Sequence, residues 1–222
     1  MKEEDRIMQG ILFSPAHPDL KALKRKAHKL SQQYSQTFED EVEDRERILQ
    51  EALGHIGEAS FIQGPVFFHY GVHTRIGRNF FANYNLTIQD DALVTIGDYT
   101  SFGPNVTIVT PIHPLIASER RRMLDQNGEE KPLCYAKPVT IGNDVWISAN
   151  VTICGGVTIG DGCVIGAGSV VTRDIPAHSL AAGVPCKVIR PITEEDSMRY
   201  KPEVMADCNV IWHHADDEKE ED

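Results

Sequence analysis

The sequence predicts an all-β solenoid: a chain wound into triangular coils, preceded by a helical segment and broken by one long loop. Two observations carry this. First, Ile141, Ile147, Ile153, Ile159, Ile165 and Val171 fall at every sixth position, and Val145, Val151, Val157, Cys163, Ser169 and Ile175 follow them four residues behind. The same step recurs in Ile96, Phe102 and Ile108, with Thr100 and Val106, and in Ile76, Ala82 and Ile88, with Phe80, Leu86 and Ala92. Second, Gly97-Asp98, Gly142-Asn143, Gly160-Asp161 and Gly166 come directly after inward positions. A period of six fits neither a helix nor an open strand. It fits a chain that turns a corner every six residues, so that three flat sides close a coil of about 18 residues and coils stack at strand spacing. Val and Ile suit the flat sides, and Gly, Asn and Asp tolerate left-handed corners. A β-sandwich of short strands does not explain six unbroken hexads. Periodicity leaves the handedness of the coil open; the crossover rule for ordinary sheets favours a right-handed one.

The elements follow in chain order. Residues 1–58 read as a helical segment. Leu20, Leu23, Ala27, Leu30 and Tyr34 form one helix face after Pro18 and Asp19, and Lys21, Lys24, Arg25, Lys26 and Lys29 take the solvated faces. A second helix is expected after Thr37, capped by its hydroxyl together with Asp40, with Val42, Ile48, Leu49, Ala52 and Leu53 as its apolar side. Residues 59–190 are the coils. They carry two interruptions: an eight-residue step from Ile88 to Ile96, and a polar, Pro-punctuated loop over 111–138 where the repeat vanishes. A long loop leaving a rigid solenoid is a natural place for function. Residues 191–222 are an extension whose acidic end, from Asp216 on, repels itself and is expected to be disordered.

Composition narrows the class. The chain has 222 residues, with 22 Lys+Arg against 33 Asp+Glu and a net charge of −11. Such an acidic chain is a poor nucleic-acid or anionic-membrane partner. No stretch approaches the roughly 20 apolar residues of a membrane span, and no secretory leader is visible. Five scattered cysteines with no CxxC pair argue against disulfides or a zinc ribbon and for a cytoplasmic location.

The hexads, the loop opening Thr110-Pro111-Ile112-His113-Pro114, and the strings RNFFANYNLTIQDD (78–91), IGNDVWIS (141–148), GAGSVVTRDIP (166–176) and AAGVPCKVIR (181–190) together resemble the maltose/galactoside O-acetyltransferase family. The resemblance spans about residues 7–195. It implies a left-handed parallel β-helix, a homotrimer, and acetyl-CoA bound between neighbouring subunits as co-substrate. It also implies a sugar or related hydroxylated small molecule as acceptor, and no metal.

Acetyl transfer to a hydroxyl needs a base for the attacking oxygen and fixed donors for the tetrahedral oxyanion. By the resemblance, His113 is the base. Asn83 and Asp91 hold the acceptor, and His69 stands where the family has a small polar contact. The family's N-terminal acceptor carboxylate falls near Pro15 or His17 here, with Asp19 the nearest acid. On the coenzyme side, Trp146 lies beside the cofactor arm. Ser148, Ala149 and Ala167 meet the pantetheine, with an oxyanion donor near Ser148 or Ala149. Thr172, Arg173, Lys187 and Arg190 lie at the nucleotide end. The last three are the only Lys or Arg residues from 139 to 190, a pattern suited to a phosphorylated ligand. Direct attack in a ternary complex requires no catalytic cysteine; Cys154, Cys163 and Cys186 read as structural.

Three other readings are open to the residues: a hexapeptide acetyltransferase with a non-sugar hydroxyl acceptor, of xenobiotic or serine type; a non-catalytic β-helix scaffold; and a γ-class carbonic anhydrase-like metal enzyme using His69, His73 and His113. The last is disfavoured because the coil blocks 76–108 and 141–176 contain no histidine.

Overall fold

The computed structural model describes residues 1–124 and 127–205. It divides into two units, Met1–Pro191 and Ile192–Asp222. In the second, the described part consists of 3-10 turns at Glu194–Asp196 and Met198–Tyr200 and a short helix at Pro202–Met205. The acidic run expected at 216–222 lies outside the described residues.

The first unit is a parallel β-solenoid. Three sheets form the sides of a prism, and each coil adds one short strand to each. The first sheet stacks His55–Ile56, Thr74–Ile76, Val94–Ile96, Val139–Ile141 and Thr158–Ile159. The second stacks Phe61–Ile62, Phe81–Ala82, Ser101–Phe102, Trp146–Ile147, Val164–Ile165 and Ser179–Gly183, and closes with the antiparallel strand Cys186–Pro191. The third stacks Val66–Phe68, Leu86–Gln89, Thr107–Val109, Thr152–Cys154 and Val170–Val171. Every residue of the two hexad series is buried, from Ile76 through Ile175. Each enclosed Ile contributes about 1.5–3 kcal/mol of apolar burial. Volumes alternate along the axis: Ala82 stacks on Phe102, which leaves room for the Phe80 ring at 5.1 Å from Phe102. Buried Thr100 is satisfied by the next coil, donating to Gly142 O at 2.9 Å.

Two expectations about the coils need correction. The coils are not uniformly of 18 residues. Ile56, Ile76 and Ile96 pair at steps of twenty, and eighteen is kept in the coil where Ile141 pairs with Ile159, Ile147 with Ile165 and Ile153 with Val171. Nor do Gly97, Gly142, Gly160 and Gly166 supply left-handed backbone. At the corner after the first sheet that role falls to Ala59, Asn79, Tyr99, Asp144, Gly162 and His178, and at the second corner to Asn85, Asn105, Asn150 and Gly168. The other glycines are small because coils touch there. A Cβ on Gly97 would sit 2.6 Å from the Gly142 backbone, and one on Gly142 would collide with Asp161. The Asx residues that follow tie the coils together: Asp161 Oδ1 accepts from Asn143 N at 2.7 Å, and Asn143 Oδ1 from Asp98 N at 2.9 Å.

Three helices precede the coils: α1 (Glu3–Met8), α2 (Pro18–Tyr34) and α3 (Val42–Ala52). Helix α2 starts at Pro18 and buries Leu20, Ala27, Leu30 and Tyr34, as the spacing predicts. Helix α3 starts later than expected and has no side-chain cap. The Thr37 hydroxyl instead donates to Tyr34 O at 2.7 Å and accepts from Arg45, while Val42 is exposed. Buried Arg45 closes the end of the prism, with Nη2 donating to Tyr34 Oη at 2.9 Å and to Ile62 O. The loop at 111–138 is a structured arm. Pro111–Ile112 pairs antiparallel with Tyr135–Ala136, Met123–Leu124 with Glu130–Lys131, and α4 (Ala117–Arg121) lies between.

Candidate active site

The irregularities of the solenoid share one place. The corner between the third and first sheets is occupied in successive coils by residues 69–73, 90–93, 110–138 and 155–157. The eight-residue step from Ile88 to Ile96 is therefore a widened turn, and Phe68 to Ile76 repeats it one coil earlier. That second step is the signal in the sequence that points to residues 69–73. The arm then leaves from the same corner.

This corner holds a buried polar cluster. Asp90, fully buried, binds the turn one coil below: Oδ1 accepts from Tyr70 N at 2.8 Å and Gly71 N at 3.1 Å, and Oδ2 from the Thr74 hydroxyl at 3.0 Å. Asp91 points Oδ1 at His69 Nε2, 3.9 Å away. Among the described residues, four buried side-chain polar atoms have no hydrogen-bond partner: Asp91 Oδ2, Tyr70 Oη, His73 Nε2 and His28 Nε2. Three belong to the wide turns themselves. His28, on α2, joins them through ring contacts running from Phe67 to His28 (4.8 Å), His28 to His69 (5.8 Å), His69 to Tyr70 (4.6 Å) and Tyr70 to His73 (5.4 Å). Buried polar groups are ordinarily satisfied. Here four are left unsatisfied at one place in the fold, beside aromatic faces.

The electrostatics fit a neutral imidazole beside a carboxylate. Burial, then the nearby Lys24, His28 and His73, press the His69 pKa down to about 4. Burial first, and the adjacent Asp90 second, push Asp91 up to about 6. From sequence, Lys24 read only as part of a solvated helix face and His73 only as a disfavoured metal ligand, while His28 and Tyr70 were not singled out. They lie on a helix face and in a turn whose proximity only the fold creates.

The predicted site residues fall on two edges of the prism. His69 and Asp91 are at the third corner. His113, exposed, follows the strand Pro111–Ile112 where the arm leaves that corner. Asn83 is at the second corner, half-buried, its Oδ1 accepting from Tyr84 N at 2.9 Å. Along this second edge lie Ser148, Ala149 and Ala167, next to Gly103, whose added Cβ would stand 2.7 Å from Ala149 N. The result is a strip of small side chains. Trp146, 54% exposed, projects from the second sheet just before it. At the far end, Thr172 and Arg173 follow the last strand of the third sheet, and Lys187 and Arg190 lie on the closing strand; all four are exposed. Asp19 is in the first turn of α2 and pairs with His17 at 3.6 Å. No group of three metal-ligating side chains converges among the described residues.

Known proteins match the chain over most of its length. Residues 6–57 match the family model of the maltose acetyltransferase hexapeptide capping motif, and residues 138–173 that of the bacterial transferase hexapeptide with six repeats. The chain is 43% identical to the galactoside O-acetyltransferase of Escherichia coli K12, covering 95% of this chain and 99% of that protein. It is 37% identical to nodulation protein L of Rhizobium meliloti, covering 84% and 97%. Among solved structures, a galactoside acetyltransferase in complex with coenzyme A superposes with a TM-score of 0.81 at 44% identity, covering 88% of this chain and 94% of that one. A maltose O-acetyltransferase from Clostridium difficile 630 gives 0.79 at 39%, covering 87% and 99%.

Proposed function

The chain belongs to the maltose/galactoside O-acetyltransferase family of hexapeptide-repeat acyltransferases, and from that premise we propose that it moves an acetyl group from acetyl-CoA to a hydroxyl of a sugar, with His113 as general base. One observation carries the sugar reading: the cluster of unsatisfied buried polar atoms at the third corner, flanked by aromatic rings. A pyranose offers hydroxyls to the first and a C–H face to the second.

His113, as neutral imidazole, accepts the proton of the attacking hydroxyl, and the oxygen bonds to the thioester carbonyl carbon. Backbone N–H groups near Ser148 and Ala149 hold the tetrahedral oxyanion. Collapse breaks the C–S bond, and the His113 imidazolium returns its proton to the departing thiolate. Asn83, Asp91 and His69 orient the acceptor. The small-residue strip along Ser148, Ala149 and Ala167 suits a narrow pantetheine chain beside Trp146, and Thr172, Arg173, Lys187 and Arg190 suit a phosphorylated nucleotide.

Since these residues occupy two edges of one prism, the reading requires a second copy, so that the third corner of one protomer faces the second edge of its neighbour. The outward row of the second sheet supports such an assembly. Phe61, Phe81, Ser101, Trp146, Val164 and Leu180 stack in register there, with Phe61 and Phe81 at 6.1 Å, whereas the first sheet presents Arg75, Thr95, Thr140 and Thr158. A homotrimer satisfies both features, and a cytoplasmic location fits the absence of a long apolar helix among the described residues.

The test is an acceptor screen with labelled acetyl-CoA across glucosides, galactosides, free hexoses and non-sugar alcohols. Transfer to sugars is expected. Exclusive transfer to non-sugar alcohols, or no stabilisation of the protein by millimolar acetyl-CoA, would overturn the reading. His113→Ala is expected to lower kcat by at least about 100-fold with acetyl-CoA affinity unchanged, measured by steady-state kinetics and calorimetry.

A further inference from the structure

The short helix α1 touches the candidate site. Its Ile7 is buried in a small core of its own with Phe13, Leu20, Tyr70, Ala92, Cys134 and Ala136. Beyond it, Phe13 forms a two-way backbone pairing with Cys134, at 2.9 and 3.1 Å, on the returning side of the arm that carries His113. From α1 itself, Glu4 reaches the wide turn: its Oε1 lies 3.5 Å from His73 Nε2.

His73 is 2% exposed, and its other ring nitrogen, Nδ1, is 2.9 Å from the backbone carbonyl of Asp90. A carbonyl only accepts, so Nδ1 carries the hydrogen. Nε2 then faces the Glu4 carboxyl, an ion-pair contact without hydrogen-bond geometry. The carbonyl that His73 grips is half of the Asp90–Asp91 peptide. Its grip and the fully bonded Asp90 side chain fix that peptide from both sides, and so fix the direction in which Asp91 leaves it.

We infer that Glu4 and His73 are positioning residues for the acceptor: through the Asp90–Asp91 peptide they hold the Asp91 carboxylate, and its unpartnered Oδ2, where a sugar hydroxyl is read. The inference rests on the reading above that Asp91 contacts the acceptor. It makes the N-terminal helix part of the specificity apparatus.

The test is steady-state kinetics on the full chain with an acceptor chosen from the screen, comparing Glu4→Ala, Glu4→Gln, His73→Leu and Asp91→Ala. Glu4 is half exposed, so its variants should fold, which thermal unfolding checks. Glu4→Ala removes the carboxyl that Nε2 faces. It is expected to raise acceptor KM about three- to tenfold, the scale of one lost polar contact, with kcat and acetyl-CoA KM within about twofold. Glu4→Gln keeps an amide N–H able to donate to Nε2 and should restore KM to within about twofold of the parent, a rescue that a bulk packing role would not produce. His73→Leu, which removes the grip on the peptide, should raise KM at least as much as Glu4→Ala. An unchanged KM in Glu4→Ala, a Gln variant as poor as the Ala one, or a loss confined to kcat would overturn the inference. Asp91→Ala separates the two layers. If it leaves acceptor KM unchanged, the assignment of the pocket fails; if it raises KM while the Glu4 and His73 variants do not, only the positioning role fails.

Discussion

At the scale of single residues, Asp91 shows how the site departs from what folding alone would favour. Its carboxyl is buried with one oxygen unpartnered, and burial pushes its pKa from the ordinary 3.8 up to about 6. A raised carboxyl pKa means the folded chain binds the proton more readily than the unfolded chain between those values. Stability from this group is therefore full below about pH 4 and is lost as pH rises through about 6. Asp91→Asn should accordingly stabilise the protein at pH 7.5, by about 1–3 kcal/mol, with the gain shrinking below pH 6 and absent near pH 4. Chemical denaturation across that range checks it; a constant difference at every pH would show that the charge is not the cause. Acceptor binding should move the other way. A protonated Asp91 gives up an acceptor oxygen, so acceptor KM in the parent protein should rise as pH falls through about 6. If Asp91 holds the acceptor as proposed, binding is kept at the expense of local stability.

At the scale of elements, the corners decide what was legible. The inward hexads were readable because a narrow prism admits only small or branched apolar side chains at a fixed step, and each predicted inward position is buried. The glycines after them were misread, since a sequence shows a small residue and not whether backbone conformation or contact between coils demands it. The structure separates the two. Asn85, Asn105 and Asn150 hold left-handed backbone and link through their amides at 2.9 and 3.0 Å, whereas Gly142 is simply pressed against Asp161. Gly142→Ala is therefore expected to destabilise by about 1–3 kcal/mol, the range for forced overpacking. Asn105→Gly, which keeps the backbone conformation and loses only the amide links, should cost less than about 1.5 kcal/mol. Thermal unfolding of the two variants ranks them, and the reverse order would contradict this division of roles. The arm and α1 were less legible for a physical reason. Their short elements are stabilised by pairing across long sequence separations, such as Phe13 with Cys134, which no local period announces. The same holds within the site. His113 and Asp91 stood in recognisable strings, while His28 and His73 acquire meaning only when α2 and α1 meet the wide corner.

At the scale of the whole molecule, a prism distributes its chemistry over separate edges. A solenoid coil has three edges, and the third sheet lies between the edge bearing Asn83, Ser148, Ala149 and Ala167 and the edge bearing His69, Asp91 and His113. A rigid stack of coils has no hinge to fold one edge onto the other. Catalysis by the proposed set therefore demands two protomers, and this can be tested without a structure of the assembly. Take His113→Ala, which lacks the base, and Ala167→Trp, which fills the coenzyme strip with an indole. Each alone should be nearly inactive. When equal amounts are unfolded together and reassembled at random into a closed ring, about one interface in four joins an intact corner to an intact edge, so about a quarter of parental activity should return. If base and strip instead act within one chain, every site in the mixture retains one lesion and no activity returns. Mixing without unfolding should restore activity only as fast as subunits exchange, so the rate of recovery also reports the lifetime of the assembly.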